Sequence, residues 1–187
     1  MLEGQDFTFD SHIQMFNVRP ALISDAHSIA VVHVESKSTY SGLLPASALS
    51  KFTVERRESS WTEMLTTPEP HAVTLVGCNA QQEVVGFASG GAERTGQLGC
   101  DGELHAIYLL PAVQRQGLGT LLVERFIHEL RSRGFRSMAV WVLGANPYRK
   151  FYEALGGQFI AEKIIERGGE AFVEIAYGWD DLSKFKV

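Results

Sequence analysis

The sequence predicts an α/β or α+β layered fold with a mixed sheet. Three observations carry that reading. Short β-branched runs alternate with helical stretches in the order β-α-α-β-β-β-α-β-α-β-β. One segment, Gly117 to Arg133, has a strong helical apolar stripe directly after a strand. Glycine, asparagine and proline clusters punctuate the runs where turns are required. At 187 residues, a single domain that buries roughly 70% of its chain surface is expected.

The elements follow in order. Residues 1–15 lack periodicity and read as an N-terminal arm, leaving 16–187 as the domain. Phe16 to Ala21 reads as a short strand, which Pro20 confines to an edge or an end. Ser24 or Asp25 is placed to cap a helix from Ala26 to about Ser36. After a turn-rich connection, a second helical stretch runs from about Ala46 to Leu65 in two pieces, with Trp61 and Leu65 on one face. Ala72–Val76 and Val84–Ser89 form a hairpin across the polar turn Asn79 to Glu83. The glycine-bearing stretch from Arg94 to Gly102 is a loop, and Glu103–Leu109 is the next strand, ended by Pro111.

Leu118, Leu121, Leu122, Phe126 and Leu130 make the stripe of the long helix, and Gly134 stops it. Ser137 to Leu143 is a strand. Asn146-Pro147 reads as a cap and first helical proline, opening a helix to about Leu155 that Gly156-Gly157 closes. Strands Gln158–Glu166 and Glu170–Trp179 flank Gly168-Gly169, a pair suited to a tight hairpin.

Composition narrows the function. The apolar fraction is 45%, the charged fraction 21% and the formal charge −5, from 17 basic and 22 acidic residues. That balance argues against non-specific nucleic-acid binding, which needs a basic face. Cys78 and Cys100 make neither a disulfide framework nor a metal-ligand spacing, so no metal is expected. The acidic N-terminal stretch resembles neither a signal peptide nor a membrane span, so a cytoplasmic protein without membrane partners is expected.

The segment from Leu109 to Thr120 joins a strand to the long helix. The first-turn amides of that helix have no intrahelical acceptor, and its dipole adds partial positive charge there. Gly117 and Gly119 present no side chain to an approaching anion, and Arg115 adds a cation. These features predict an anion cradle built from backbone. The Walker pattern is absent, and Leu122 stands where a dinucleotide fingerprint needs a small residue.

Gln114-x-x-Gly117-x-Gly119 resembles the Q/R-x-x-G-x-G/A motif of the Gcn5-related N-acetyltransferase (GNAT) superfamily. Glu103-Leu-His-Ala-Ile-Tyr-Leu-Leu-Pro111 looks like that family's fourth strand. Asn146-Pro-Tyr-Arg-Lys-Phe-Tyr-Glu-Ala-Leu-Gly-Gly157 looks like its later N…FYE.LG segment. With the element order, the resemblance covers about residues 16 to 178. It implies a mixed, mostly antiparallel sheet of about seven strands, helices on both faces, and a splay between strands 4 and 5.

It also implies acetyl-coenzyme A as co-substrate. The amides of Arg115, Gln116, Gly117, Leu118, Gly119 and Thr120 would take the pyrophosphate. Ile107, Tyr108 and Leu109 would pair with the pantetheine as with an added strand. Gln114 belongs to the same motif. Asn146 would bond the pantetheine arm, although it stands six residues before Tyr152 where many family members have seven, and it also reads as a plain helix cap.

Acetyl transfer to an amine needs a proton acceptor and a donor for the thiolate. Glu103 is the candidate base, or else a salt-bridged carboxylate. His105 shares its face by two-residue alternation, as a relay or a pocket wall. Tyr152 holds the position that acts as general acid in the family, or packs its helix on the sheet. No activated nucleophile is evident, so direct attack in a ternary complex is expected. The acceptor pocket is expected between Ser38–Pro45 and Glu166–Gly169, with Tyr40 and Glu166 holding a cation. Acceptor identity stays open between a small amine, an amino acid and a protein N-terminus or lysine. A homodimer is compatible with the sequence. The alternative function is a non-catalytic acyl-CoA sensor or partner-binding module on the same fold.

Overall fold

A computed structural model describes residues 15–36, 42–50 and 52–185. The expected arm (1–15) therefore lies outside it except for Met15. Strand β1 (Asn17–Pro20) is an edge strand, as Pro20 requires, pairing antiparallel with β2 (Val73–Cys78). Helix α1 (Ala26–Glu35) follows a single 3₁₀ turn, Ile23–Asp25. Asp25 does not cap α1. Its carboxylate instead accepts from the Leu22 amide at 2.7 Å and from both terminal nitrogens of Arg19, because the inserted turn re-aims the side chain toward β1. The second helical stretch is two pieces, α2 (Ala46–Leu49) and α3 (Val54–Thr66). Thr53 caps α3 by accepting from the Arg56 amide, and Trp61 turns inward.

Strands β3 (Val84–Ala92) and β4 (Gly102–Leu109) complete an antiparallel meander with β2. Helix α4 (Leu118–Ser132) leads to β5 (Met138–Leu143), then α5 (Arg149–Ala154), β6 (Gln158–Arg167) and β7 (Glu170–Trp179). Helix α5 starts later than Asn146-Pro147 suggests. Asn146 closes a local turn by accepting from the Tyr148 amide at 2.9 Å, and the helix begins after it. Gly168 and Gly169 both take positive φ at the β6–β7 hairpin.

The seven strands form one sheet in the order β1-β2-β3-β4-β5-β7-β6. The β4–β5 pair is parallel and the others are antiparallel. Helix α4 covers one face. Its Leu118, Leu122, Phe126 and Leu130 are fully buried, each stabilising by about 2 kcal/mol. Helices α1 and α3 cover the other face, where Ile29, Trp61 and Phe87 pack together.

Two irregularities in β4 place the site. Ser89 opposes Ala106 while Gly90 opposes Leu104, so His105 is an extra, bulged residue. Leu104 consequently packs on the α4 side and Ala106 on the α1–α3 side, which strict alternation over two residues would forbid. Pairing with β5 then stops at Leu104–Val140, and the strands part. The splay expected between strands 4 and 5 is thus the one found.

Candidate active site

The open edge can be read from hydrogen bonds. The Leu110 amide donates to the Val85 carbonyl at 2.9 Å. By antiparallel alternation, the main-chain groups of Ala106, Tyr108 and Leu110 face β3, and those of Ile107 and Leu109 face the gap toward β5. Tyr108, expected with the edge residues, instead sends its ring to the α1–α3 side, stacked on His33 at 4.6 Å. The Leu109 carbonyl is already held, by the Ser36 hydroxyl at 3.0 Å and the Gln114 side-chain Nε2 at 3.3 Å.

The edge runs directly into the glycine loop. Arg115 (φ 58°) and Gly117 (φ 89°) adopt left-handed conformations, which turn successive amides toward one point. The first main-chain bond of α4 is Leu121 N–H to Gly117 O. Among the described residues, no main-chain carbonyl accepts from the amides of Arg115 through Thr120. A Cβ built on Gly117 would meet nothing within 4 Å, whereas one on Gly119 would touch the Phe151 ring at 3.4 Å. The cradle is therefore open above Gly117 and walled beside Gly119. The Gln116 side chain bonds back to the Ala112 carbonyl and stiffens the loop. These residues fit a diphosphate followed by an extended amide chain: donors at the loop, then a strand edge whose Ile107 groups and Leu109 amide face the gap.

A cleft of about 610 Å³ follows this line through the sheet. Thr120, Asn146 and Tyr152 line it; Tyr152 is 8% exposed, beside Phe151 and Tyr177. His33, Ser36, Phe52, His105 and Tyr108 line it as well. Leu118 is fully buried beneath the loop.

Glu103 sits behind this wall, 1% exposed. It accepts from Arg94 Nε at 3.1 and 3.2 Å, from Arg94 Nη2, and from the Arg94 amide at 3.2 Å. The Glu103 carboxylate in turn raises the Arg94 pKa. His105 is the group that lines the cleft, with its Nε2 3.8 Å from Glu103 Oε2. Burial holds its pKa below the ordinary histidine value, and the Arg94 charge pushes the same way against the pull of Glu103. Tyr40 lies outside the described residues. Glu166 is exposed at the end of β6 and lines a separate cavity that shares Leu44, Phe52 and Arg167 with the cleft. Among the described residues no cluster of histidine, cysteine or acidic side chains is arranged to hold a metal ion, and no helix is long and apolar enough to cross a membrane.

Over this geometry the relatives can be compared. A family model described as FR47-like protein matches residues 92–167. The uncharacterized N-acetyltransferase YuaI of Bacillus subtilis (strain 168) is 38% identical over 174 residues, spanning 92% of this chain and 98% of its own. The chain belongs to the GNAT family of N-acetyltransferases. Solved GNAT structures share the fold. PaiA N-acetyltransferase from Thermoplasma acidophilum, in complex with coenzyme A, superposes with a TM-score of 0.67 at 18% identity, over 88% of this chain and 99% of that one. YncA from Salmonella typhimurium, solved with its cofactor acetyl-CoA, gives 0.65 at 19% identity, over 92% and 97%. As a GNAT protein the chain is an acyltransferase.

Three contributors to this GNAT site escaped the sequence reading. Arg94 lies in a glycine-bearing loop with no pattern tying it to Glu103. Ser36 reaches Leu109 across 73 residues of sequence. His33 looks like any histidine of a buried helix face.

Proposed function

We propose that the protein transfers an acetyl group from acetyl-CoA to a primary amine by direct attack in a ternary complex. The observation that carries this reading is two sets of backbone donors at the ends of one short connection: Ile107 and Leu109 on the parted edge, and the amides of Arg115–Thr120 in the loop. The coenzyme supplies the acetyl thioester; the chain's own groups do the rest. The loop amides and the dipole of α4 hold the diphosphate, with Arg115 beside them. Ile107 and Leu109 align the pantetheine, and the Leu109 amide is aimed where the acetyl oxygen would gain charge.

Proton traffic has two ends. His105, kept neutral at pH 7 by its surroundings, takes a proton from the attacking amine through water, with Glu103 behind it stabilising the cation that results. Glu103 thus works as base by way of His105, and its pair with Arg94 fixes its orientation. Tyr152 donates its phenolic proton to the departing sulfur, whose thiol would otherwise leave as an anion with pKa near 8.5. Asn146, committed to the Tyr148 amide, supports the turn beside the pantetheine.

The test is thiol release from acetyl-CoA across an amine panel, with coenzyme binding followed by calorimetry. Turnover without a burst of acetyl-enzyme is the expected result. Tight binding with no turnover on any amine would favour a non-catalytic acyl-CoA sensor. Glu103→Gln should flatten the rise of rate with pH.

A further inference from the structure

A second cavity of about 540 Å³, lined by Arg56, Arg57, Ser60, Glu166 and Arg167, adjoins the cleft. Leu44, Phe52 and Arg167 border both spaces, so the two lie side by side. The chain carries a net charge of −5, yet this wall gathers three guanidiniums. Among the described residues none of the three pairs with a carboxylate. Arg167 donates only to the Glu166 carbonyl, at 3.0 Å. Glu166 is the single acid of the cavity lining, and it makes no ion pair with them.

Arg57 is the informative member. Its Nε is buried and has no hydrogen-bond partner, while its guanidinium lies 4.2 Å over the Phe52 ring. Burial lowers its pKa, and Arg56 adds to that. Arg57 also lowers the pKa of His33, so it stands close to the cleft wall. A desolvated cation with an orphaned donor is costly unless a partner arrives. Planar guanidiniums presented together match a carboxylate or phosphate by paired hydrogen bonds.

We infer that the acceptor amine carries an anionic group, seated by Arg57, Arg167 and Arg56 while the amine points into the cleft at His105. This deepens the acetyltransferase reading and rests on it. The amine's charge favours the Glu103–His105 end, and the anion favours the arginine end. The two ends orient the substrate in one direction only.

The experiment compares matched acceptors: n-alkylamines, ω-amino carboxylates and ω-aminoalkyl phosphonates of the same chain length. Carboxylate and phosphonate arms separate the two oxyanion chemistries. Anion-bearing acceptors should exceed the alkylamine at least 30-fold in kcat/KM. In Arg57→Gln and Arg167→Gln that ratio should fall tenfold or more, mostly through KM, and Arg57→Lys should restore part of it. Arg167 lies on an exposed hairpin end, so its variant tests the idea even if Arg57→Gln folds poorly. Equal kcat/KM for charged and neutral amines, or a ratio untouched by both variants, would overturn the inference. If no amine is turned over, calorimetry of ω-amino carboxylate binding to the CoA-loaded protein decides. Binding lost in Arg167→Gln keeps the anion site while rejecting acetyl transfer; absence of binding rejects both.

Discussion

Glu103 and Arg94 are joined across the β3–β4 connection with opposite exposures: the carboxylate side chain is 1% exposed and the guanidinium 57%. The acid is structurally captive, and the base partner can reach solvent. Removing Arg94 would strand a buried charge, which costs about 3–5 kcal/mol when both partners are buried. Solvent screening on the Arg94 side reduces this to about 1–3 kcal/mol. Arg94→Ala should therefore lower Tm by several degrees, and Glu103→Gln added to it should recover most of the loss. A single variant as stable as the parent would show that the pair contributes little.

The bulge at His105 depends on a close approach at Gly90. A Cβ there would fall well inside contact with the Glu103 carbonyl and 2.6 Å from the Phe126 ring. Neither backbone nor a packed core ring yields easily. Gly90→Ala is expected to destabilise by about 2–4 kcal/mol and to weaken acetyl-CoA binding by displacing the edge at Ile107. Chemical denaturation read alongside calorimetry checks both effects; unchanged affinity in a folded variant would disconnect the bulge from the site.

At Gly117 the expectation runs the other way, toward function without packing. Its Cβ would enter open space, so a side chain costs only the left-handed backbone strain of about 1–2 kcal/mol. Gly117→Ala should show that strain and a modest loss of affinity. Gly117→Glu should bring an anion into the cradle and raise the coenzyme Kd at least 100-fold. Similar Kd values for the two variants would mean that the diphosphate sits elsewhere.

Local signals made most of this architecture legible. Pro20 named an edge strand, the stripe from Leu118 to Leu130 named α4 and its buried face, and the Gly168-Gly169 pair named the last hairpin. Gly117 and Gly119 at the mouth of α4 predicted an anion cradle, and the parting of β4 from β5 was implied by the GNAT resemblance. What stayed hidden arises from long-range geometry. Asp25 reads as a helix cap by position, but a preceding turn gives its carboxylate to Arg19. Period-two alternation sets Ala106 opposite Glu103 in facing, and one inserted residue reverses that. The Arg94, Ser36 and Arg57 roles depend on which loops the fold brings together, and no spacing encodes that.

Tyr152 lines the cleft, near the end of α5 where Gly157 packs against the Trp179 ring. Tyr152→Phe keeps the ring and its contacts with Phe151 and Tyr177 and removes only the hydroxyl. Loss of a general acid is expected to reduce kcat by about 10²–10⁴. Coenzyme affinity should change less than about threefold. Assays with a poorer thiol leaving group should show a larger defect. A fully active variant would take the phenol out of the mechanism.

His33 offers a stability test that needs no substrate. It is buried among Phe52, Trp61, Phe87 and Tyr108, its Nδ1 has no partner, and burial pulls its pKa down to about 4. An unfolded chain titrates this imidazole near 6.5, so between about pH 4 and 6.5 the unfolded state binds more protons than the native one. Stability must then rise with pH across that window and fall as the solution is acidified through it. The full span amounts to about 3 kcal/mol, felt completely only near the lower limit. His33→Phe keeps an aromatic ring in the cluster and removes the titration. Urea midpoints measured from pH 4 to 7 should rise more steeply for the parent than for the variant. Parallel profiles would mean that His33 is hydrated in the native protein and titrates as it does when unfolded.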